Sequence, residues 1–417
     1  MLYDINKVSY KSTSQGGIGM YALILEGGGA KGAYHIGAYK AIKEMNINIS
    51  MIAGTSIGAI NGAILAQGDY KLAEKLWCEV DMEQLFNLEL KPKDFFSKKG
   101  FNDYSFRQAY ELLGQIIGNG GINTDPIKKL LNEYIDEKKL RKSSIDYALV
   151  TVNIDEYKAL ELHLDDIPNG KLVDYIMASA SFPAFKSEMI DGKKFIDGGI
   201  YNNLPINLAL EKNYSNIIAV RTFGVGRNRK FNTKDADIIT IEPKESLGKT
   251  LDFNTQTAKY NIKLGYYDSM RVLKKLYGRY YYINNIKNEH YYINYLANID
   301  ESIIKKIAKK MNVKAYSDKR YLFENLIPKL ANLMGLPKDA TYQDIVIGLY
   351  EELAKALNLE RFKIYHYDGF LFEIYRNYKR KESNKKVVPS MYMQNDLLAI
   401  LKKQEIILEI AEILLIN

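Results

Sequence analysis

One cysteine, Cys78, and four histidines are all that this chain of 417 residues holds of two side chains much used for metal binding and proton relay. A lone thiol excludes an intrachain disulfide and a cysteine-based zinc site, and it fits a reducing compartment. Long apolar runs are also missing. The longest, such as IILEIAEILLI (406–416), carry acidic residues and are too short to cross a bilayer. The opening stretch MLYDINKVSYKSTSQGGIGM has no apolar core to serve as a signal peptide. The default is therefore a soluble cytoplasmic protein; if it works on membranes, it visits their surface.

The composition is that of a globular protein, 47% hydrophobic and 26% charged, with length for two to three domains. The net charge of +8 favours anionic partners, either nucleic acid or acidic phospholipid headgroups, and a solvated lysine excess accounts for it equally well. Nucleic acid has no other support and is not expected as a partner. The oligomeric state is open.

Residues 1–19 are polar and aperiodic, and the expectation is a disordered or mis-annotated segment. Gln15-Gly16-Gly17 could be encoded by a purine-rich ribosome-binding sequence ahead of a true start at Met20. A native protein purified with Met1 in place would overturn that idea. From Tyr21 the pattern is strand, glycine turn, helix, strand, tight turn, helix: YALILE (21–26), a helix over 33–46, Met51-Ile52-Ala53, and a helix over 57–67. Further strands are expected at 145–153, 216–223 and 237–241, with helices at 171–180 and 256–276 between them. This alternation predicts a three-layer α/β/α domain over residues 20–290, with a largely parallel central sheet. Helical periodicity at 301–311, 321–334, 343–357 and 396–415 predicts a mainly helical C-terminal domain over 291–417, of unknown role. The basic run Lys379–Lys386 reads as a solvated loop. Residues 82–122 mix aromatics (Phe86, Phe95, Phe96, Phe101, Phe106) with Lys91, Lys93, Lys98 and Lys99, which suits either a membrane-touching lid or a helical insertion packed on its aromatics.

Three glycine-rich turns carry the chemistry. Gly54-Thr55-Ser56-Ile57-Gly58 lies between a strand and a helix, as a nucleophile elbow requires: small neighbours let the backbone bend, and the helix N-terminus adds positive potential. Gly27-Gly28-Gly29-Ala30-Lys31-Gly32 also follows a strand and opens a helix. A dinucleotide-binding turn would need an acid at the end of the next strand, where Ser56 stands instead. A phosphate loop fails because Lys31 is followed by Gly32. Unhindered glycine N–H groups suit an oxyanion hole, with Lys31 either shaping the loop or solvated. The third turn is Phe195-Ile196-Asp197-Gly198-Gly199. Asp-Gly is common turn chemistry, which is its plain reading. The serine nevertheless needs a base, and none of His35, His163, His290 and His366 sits in a triad-like motif. A buried aspartate whose pKa is raised can serve.

Taken in order, GGGAKG (27–32), GTSIG (54–58) and DGG (197–199) resemble the patatin-like phospholipase family. The likeness extends to ASASFP (178–183), YNNLP (201–205) and Gly265-Tyr266 with Asp268, so it covers about residues 20–285. It implies a three-layer α/β fold, a Ser–Asp dyad without histidine, and hydrolysis of lipid acyl esters that needs no metal or cofactor. By position it makes Ser56 the nucleophile, Asp197 the base and Gly27, Gly28 and Gly29 the oxyanion donors, with Lys31, Gly32, Gly54, Gly58, Gly198 and Gly199 supporting the motifs. The expected partner is a lipid ester substrate, a phospholipid, met in transient contact with a membrane surface. The alternatives are an acyltransferase or small-ester esterase of the same family, or a non-catalytic scaffold.

Overall fold

The computed structural model describes residues 19–79, 123–183, 185–233, 236–314, 316, 318–383 and 395–416. The lid or insertion expected at 82–122, and all of the 1–19 segment except Gly19, lie outside them. The chain divides into two units, residues 1–273 and 274–417.

The first unit is built on an eight-stranded mixed sheet. Its strands are β1 (Tyr21–Leu25), β2 (Ile49–Thr55), β3 (Asp146–Asn153), β4 (Lys158–His163), β5 (Glu188–Ile190), β6 (Lys193–Asp197), β7 (Asn216–Val220) and β8 (Asp237–Ile241). The order is β5-β6-β3-β2-β1-β7-β8, with β4 also paired to β3. Pairs β1–β2, β1–β7, β2–β3 and β7–β8 are parallel, whereas β3–β4, β3–β6 and β5–β6 are antiparallel. The parallel half holds the uninterrupted apolar strands, because both of their faces are covered. On one face Ala22 and Ile24 pack with Met51, Ala53 and Val150 against the helix Ile206–Glu211. On the other face lie helix α1 (Ala33–Glu44) and helix α2 (Ile57–Ala66), the latter seated on Leu25 through Gly58 and Gly62. The expected three layers are present.

Two glycines fix how α1 meets the long helix Thr255–Leu273. A Cβ on Gly37 would stand 1.9 Å from Ile262 O, and one on Gly265 would stand 2.1 Å from Tyr34 O. The helices therefore touch backbone to backbone. Tyr34 OH donates to Asp268 Oδ2 at 3.1 Å beside this crossing, and Arg271 pairs with Asp268 Oδ1 at 2.6 Å.

The register of β3 positions the site. Its Val150 lies opposite Thr55, the last residue of β2. Its next residue, Thr151, lies opposite Asp197, the last residue of the antiparallel β6. Because β4 occupies the other edge of β3 at both positions, β2 and β6 share one edge and run toward each other. The residue after Thr55 is thus delivered to Asp197.

The second unit is mainly helical, with helices Glu289–Ala297, Glu301–Lys310, Ile327–Leu333, Tyr342–Ala356, Tyr367–Ser383 and Asn395–Ile416 around one apolar cluster. A short parallel pair, Tyr282–Asn284 with Ile364–His366, is its sheet element among the described residues. The basic run expected as a loop begins inside the helix Tyr367–Ser383. Phe370, Ile374 and Tyr378, buried at four-residue spacing, carry that helix through Lys379. Buried Glu351 accepts from the N–H groups of Arg279, Tyr280 and Tyr281 at 2.9, 2.8 and 2.7 Å. Among the described residues no helix is long and apolar enough to cross a membrane.

Candidate active site

Ser56 stands between β2 and α2 with φ 56° and ψ −123°. A side chain held at this positive φ is strained, by about 1–3 kcal/mol, and the surroundings enforce it. A Cβ on Gly54 would lie 2.3 Å from Gly58 C and O, and a Cβ on Gly58 would lie 2.2 Å from Leu25 O. The Ser56 carbonyl starts α2 by accepting from Ala59 N–H at 2.9 Å and Ile60 N–H at 3.2 Å. Its own N–H donates to Ser179 Oγ at 3.1 Å.

Asp197 is buried, only 5% exposed. Burial pushes its carboxyl up to about 6; the Ser56 hydroxyl and the Gly199 N–H beside the carboxylate pull it back. The Gly199 bond is 2.7 Å. Gly198 has room for no side chain, since a Cβ would sit 2.1 Å from Val150 O. The expected serine and aspartate are therefore brought together at the Asp-Gly-Gly turn.

The glycine loop lies alongside, and it narrows one expectation. Gly27 N–H donates to Asn203 O at 3.0 Å and is not free to receive an oxyanion. Ala30 N–H donates to Thr250 O at 2.7 Å. Among the described residues the N–H groups of Gly28 and Gly29 have no protein acceptor, and both residues line the same cavity as Ser56 and Asp197. Two donors remain where three were expected. Lys31 is a loop-holder: Nζ donates to Phe223 O at 3.1 Å, and burial lowers its pKa against the pull of Glu26. Gly32 packs tightly on α2, where a Cβ would meet Ile57 Cγ1 at 2.5 Å.

The cavity measures about 370 Å³. Aliphatic and aromatic side chains such as Ile60, Ile64, Leu131, Met177, Phe182 and Leu251 dominate its wall, and Asp197 is the sole ionisable residue among its described lining. Trp77 stacks on Phe253 at 6.1 Å and donates from Nε1 to Asn61 Oδ1 at 3.0 Å, which locks one side of the wall. Neither His35 nor His163 lines the cavity. His35 is fully buried, pushed down to about 3 by desolvation, with Nδ1 against Asn61 Nδ2 at 3.2 Å. Among the described residues no cluster of ligands suitable for a metal ion occurs.

Several supporting residues carry no expectation from sequence. Ser179 lies within ASASFP, but its bond to the Ser56 N–H needs the folded chain to be seen. Asn203 clasps Gly27 by accepting from its N–H and donating from Nδ2 to its carbonyl at 3.3 Å. Glu26, 1% exposed at the end of β1, accepts from Thr222 N–H at 2.7 Å, Phe223 N–H at 2.9 Å and Arg221 Nη2 at 3.4 Å. An acid closing a buried apolar strand is a signal that was available for Glu26, since such a charge is retained only when it is partnered.

Comparison with known proteins bears out the resemblance. Residues 23–210 match the family model described as patatin-like phospholipase. Patatin-like phospholipase domain-containing protein 7 of Mus musculus is 26% identical over 209 residues, covering 48% of this chain and 13% of that protein. Neuropathy target esterase sws of Drosophila melanogaster is 28% identical over 201 residues, covering 48% and 12%. The chain thus spans a small part of the length of these relatives. Among solved structures, VipD from Legionella pneumophila is similar with a TM-score of 0.40 and 17% identity, over 94% of this chain and 91% of that one. ExoU of Pseudomonas aeruginosa, solved in complex with SpcU, gives a TM-score of 0.30 and 15% identity over 80% and 68%.

Proposed function

We propose that this chain, whose residues 23–210 carry a patatin-like phospholipase domain, hydrolyses the acyl esters of phospholipids through a Ser56–Asp197 dyad. One observation carries the reading: a strained serine meets a buried aspartate of raised pKa at the wall of an apolar cavity that has no other ionisable lining among the described residues. In the first half-reaction the Asp197 carboxylate accepts the Ser56 proton as Oγ attacks the ester carbonyl. The oxyanion forms against the N–H groups of Gly28 and Gly29, and the first turn of α2 adds its positive end. Collapse breaks the C–O bond to the leaving alcohol, which takes up the proton held by Asp197, and leaves an acyl-Ser56 ester. In the second half a water gives its proton to Asp197 and attacks that ester; collapse breaks the acyl C–Oγ bond, frees the fatty acid, and returns the proton from Asp197 to Ser56 Oγ. The hydrocarbon wall holds the acyl chain. A charged headgroup finds no cation in the described wall and stays at the mouth.

A fluorophosphonate probe tests the nucleophile: wild-type protein is labelled at Ser56, and labelling disappears in Ser56→Ala. Persistent labelling of the variant, or none of the wild type, sinks the dyad. Mass spectrometry of products from a mixed phospholipid and neutral-lipid panel tests the substrate class, with lysophospholipid and free fatty acid expected.

The pH dependence follows from Asp197. Only its carboxylate accepts a proton, and its folded pKa is raised to about 6. With soluble ester well below KM, kcat/KM therefore falls about tenfold per pH unit as pH drops below that value, and is flat above it until other groups titrate. A profile flat down to about pH 4, the ordinary aspartate range, would contradict the assignment.

A further inference from the structure

The segment Arg221–Lys230 (RTFGVGRNRK) contains four cations and no acid. It is fastened at several points to the site already described. Glu26 holds the N–H groups of Thr222 and Phe223, Lys31 holds Phe223 O, Arg227 N–H donates to Gly199 O at 2.8 Å, and Arg227 O accepts from Asn203 N–H at 2.8 Å. Despite these ties it carries apolar side chains in water. Phe223 is 48% exposed and Val225 76%, and neighbouring Ile200 is 45% exposed. Val225 and Ile200 both belong to the cavity wall, so this apolar surface is continuous with the mouth.

Phe223 is the telling residue. Its φ of 48° is one that phenylalanine rarely adopts and asparagine or glycine takes readily. Strain and exposure together mean that neither backbone preference nor core packing accounts for an aromatic ring at this position. The charges divide in the same way. Arg221 is satisfied by Glu26, and Arg229 by Glu161 at 2.9 Å. Arg227 and Lys230 are exposed and form no ion pair among the described residues.

We propose that residues 221–230, with Ile200, form a docking surface for an anionic phospholipid membrane, seating the cavity mouth on the lipid. Phe223, Val225 and Ile200 enter the interfacial layer while Arg227 and Lys230 meet phosphate groups. Apolar contact gives depth and charge gives the preference for acidic lipid. What the surface delivers to the cavity rests on the acyl-hydrolase reading; adsorption itself does not.

The test separates the two. Full-length Ser56→Ala protein is floated with vesicles of phosphatidylcholine alone or with added phosphatidylglycerol, at low and high salt. Adsorption is expected on the acidic vesicles and weakens with salt. Arg227→Gln combined with Lys230→Gln lowers it about tenfold or more, given the attraction of each basic residue to an acidic surface. Phe223→Asn, which suits the positive φ and keeps the backbone ties, lowers it at both salt concentrations. In the Ser56-containing protein these changes leave kcat/KM on a monomeric short-chain ester unchanged while turnover of vesicle lipid falls. Absence of adsorption to acidic vesicles, or equal adsorption by parent and variants, overturns the docking surface. Adsorption that responds to the variants in a protein hydrolysing no ester upholds the surface and overturns the hydrolase reading.

Discussion

Ser56→Ala lowers ester hydrolysis by about 10⁴- to 10⁶-fold, the scale on which a nucleophile and its base act as one unit, and leaves the protein folded. The side chain is small and lies at a cavity wall, so its oxygen can be removed without opening a void. Asp197→Asn is expected to cost nearly as much activity, because an amide can still accept from the Gly199 N–H but cannot take a proton. Its effect on stability runs the other way. Asp197 titrates at about 6 in the fold, above its ordinary value of 3.8. An acid with a raised folded pKa contributes stability that is whole below the unfolded pKa and lost as pH rises through the folded one. Above about pH 6 the ionised carboxylate is thus a burden on the fold, on the order of 3 kcal/mol at most. Asp197→Asn lifts it, so the inactive variant melts higher than wild type at about pH 8, and the difference closes toward about pH 4. Thermal melts across that range check the sign. A variant less stable than wild type at alkaline pH would mean that the carboxylate is held by interactions stronger than its burial.

The second large effect belongs to Glu26→Ala, expected to destabilise the first unit by about 3–5 kcal/mol. The change strands the buried amide of Thr222 and the half-buried amide of Phe223, and removes the anion facing Arg221. Glu26→Gln should recover part of the loss, since its carbonyl oxygen can still accept from the amides while the charge on Arg221 goes unanswered. Urea unfolding measures the stability, and limited proteolysis within 221–230 reports the loosened loop. Alanine and wild type unfolding at the same midpoint would show that the loop is held elsewhere.

Much of this was open to inspection in the sequence because it rests on local constraints. YALIL, the elbow around Ser56 and the glycine-rich loop each combine a short apolar run with residues that only a tight turn requires, and the strands and helices expected in the first unit lie within a few residues of where periodicity puts them. Asp197 was harder, since Asp-Gly reads first as a turn. What distinguishes it is register: β3 sets Thr151 opposite Asp197 one step beyond Val150 opposite Thr55. No window of sequence contains that fact. The antiparallel strands β4 to β6 escaped for a related reason: β5 is three residues long, and β4 and β6 are partly exposed and begin on lysine. Gly27 was over-read, because three glycines in a row look equivalent until Asn203, far along the chain, engages the first of them. Residues 221–223 were expected in a strand that in the fold ends at Val220, and what the loop 221–230 adjoins is seen only in the folded chain.

Glu351 sets an order of events for the second unit. It gathers three consecutive amides from residues 279–281, about seventy positions earlier in the chain. While the protein is being synthesised, those amides stay with water until residue 351 has cleared the ribosome, so the strand Tyr282–Asn284 and the chain leading into it cannot settle early. In the first unit all the described strands of the sheet precede residue 242. A stalled or shortened product lacking Glu351 should therefore retain a formed sheet and an unformed helical unit, a species with exposed apolar helices of the kind that chaperones and proteases capture.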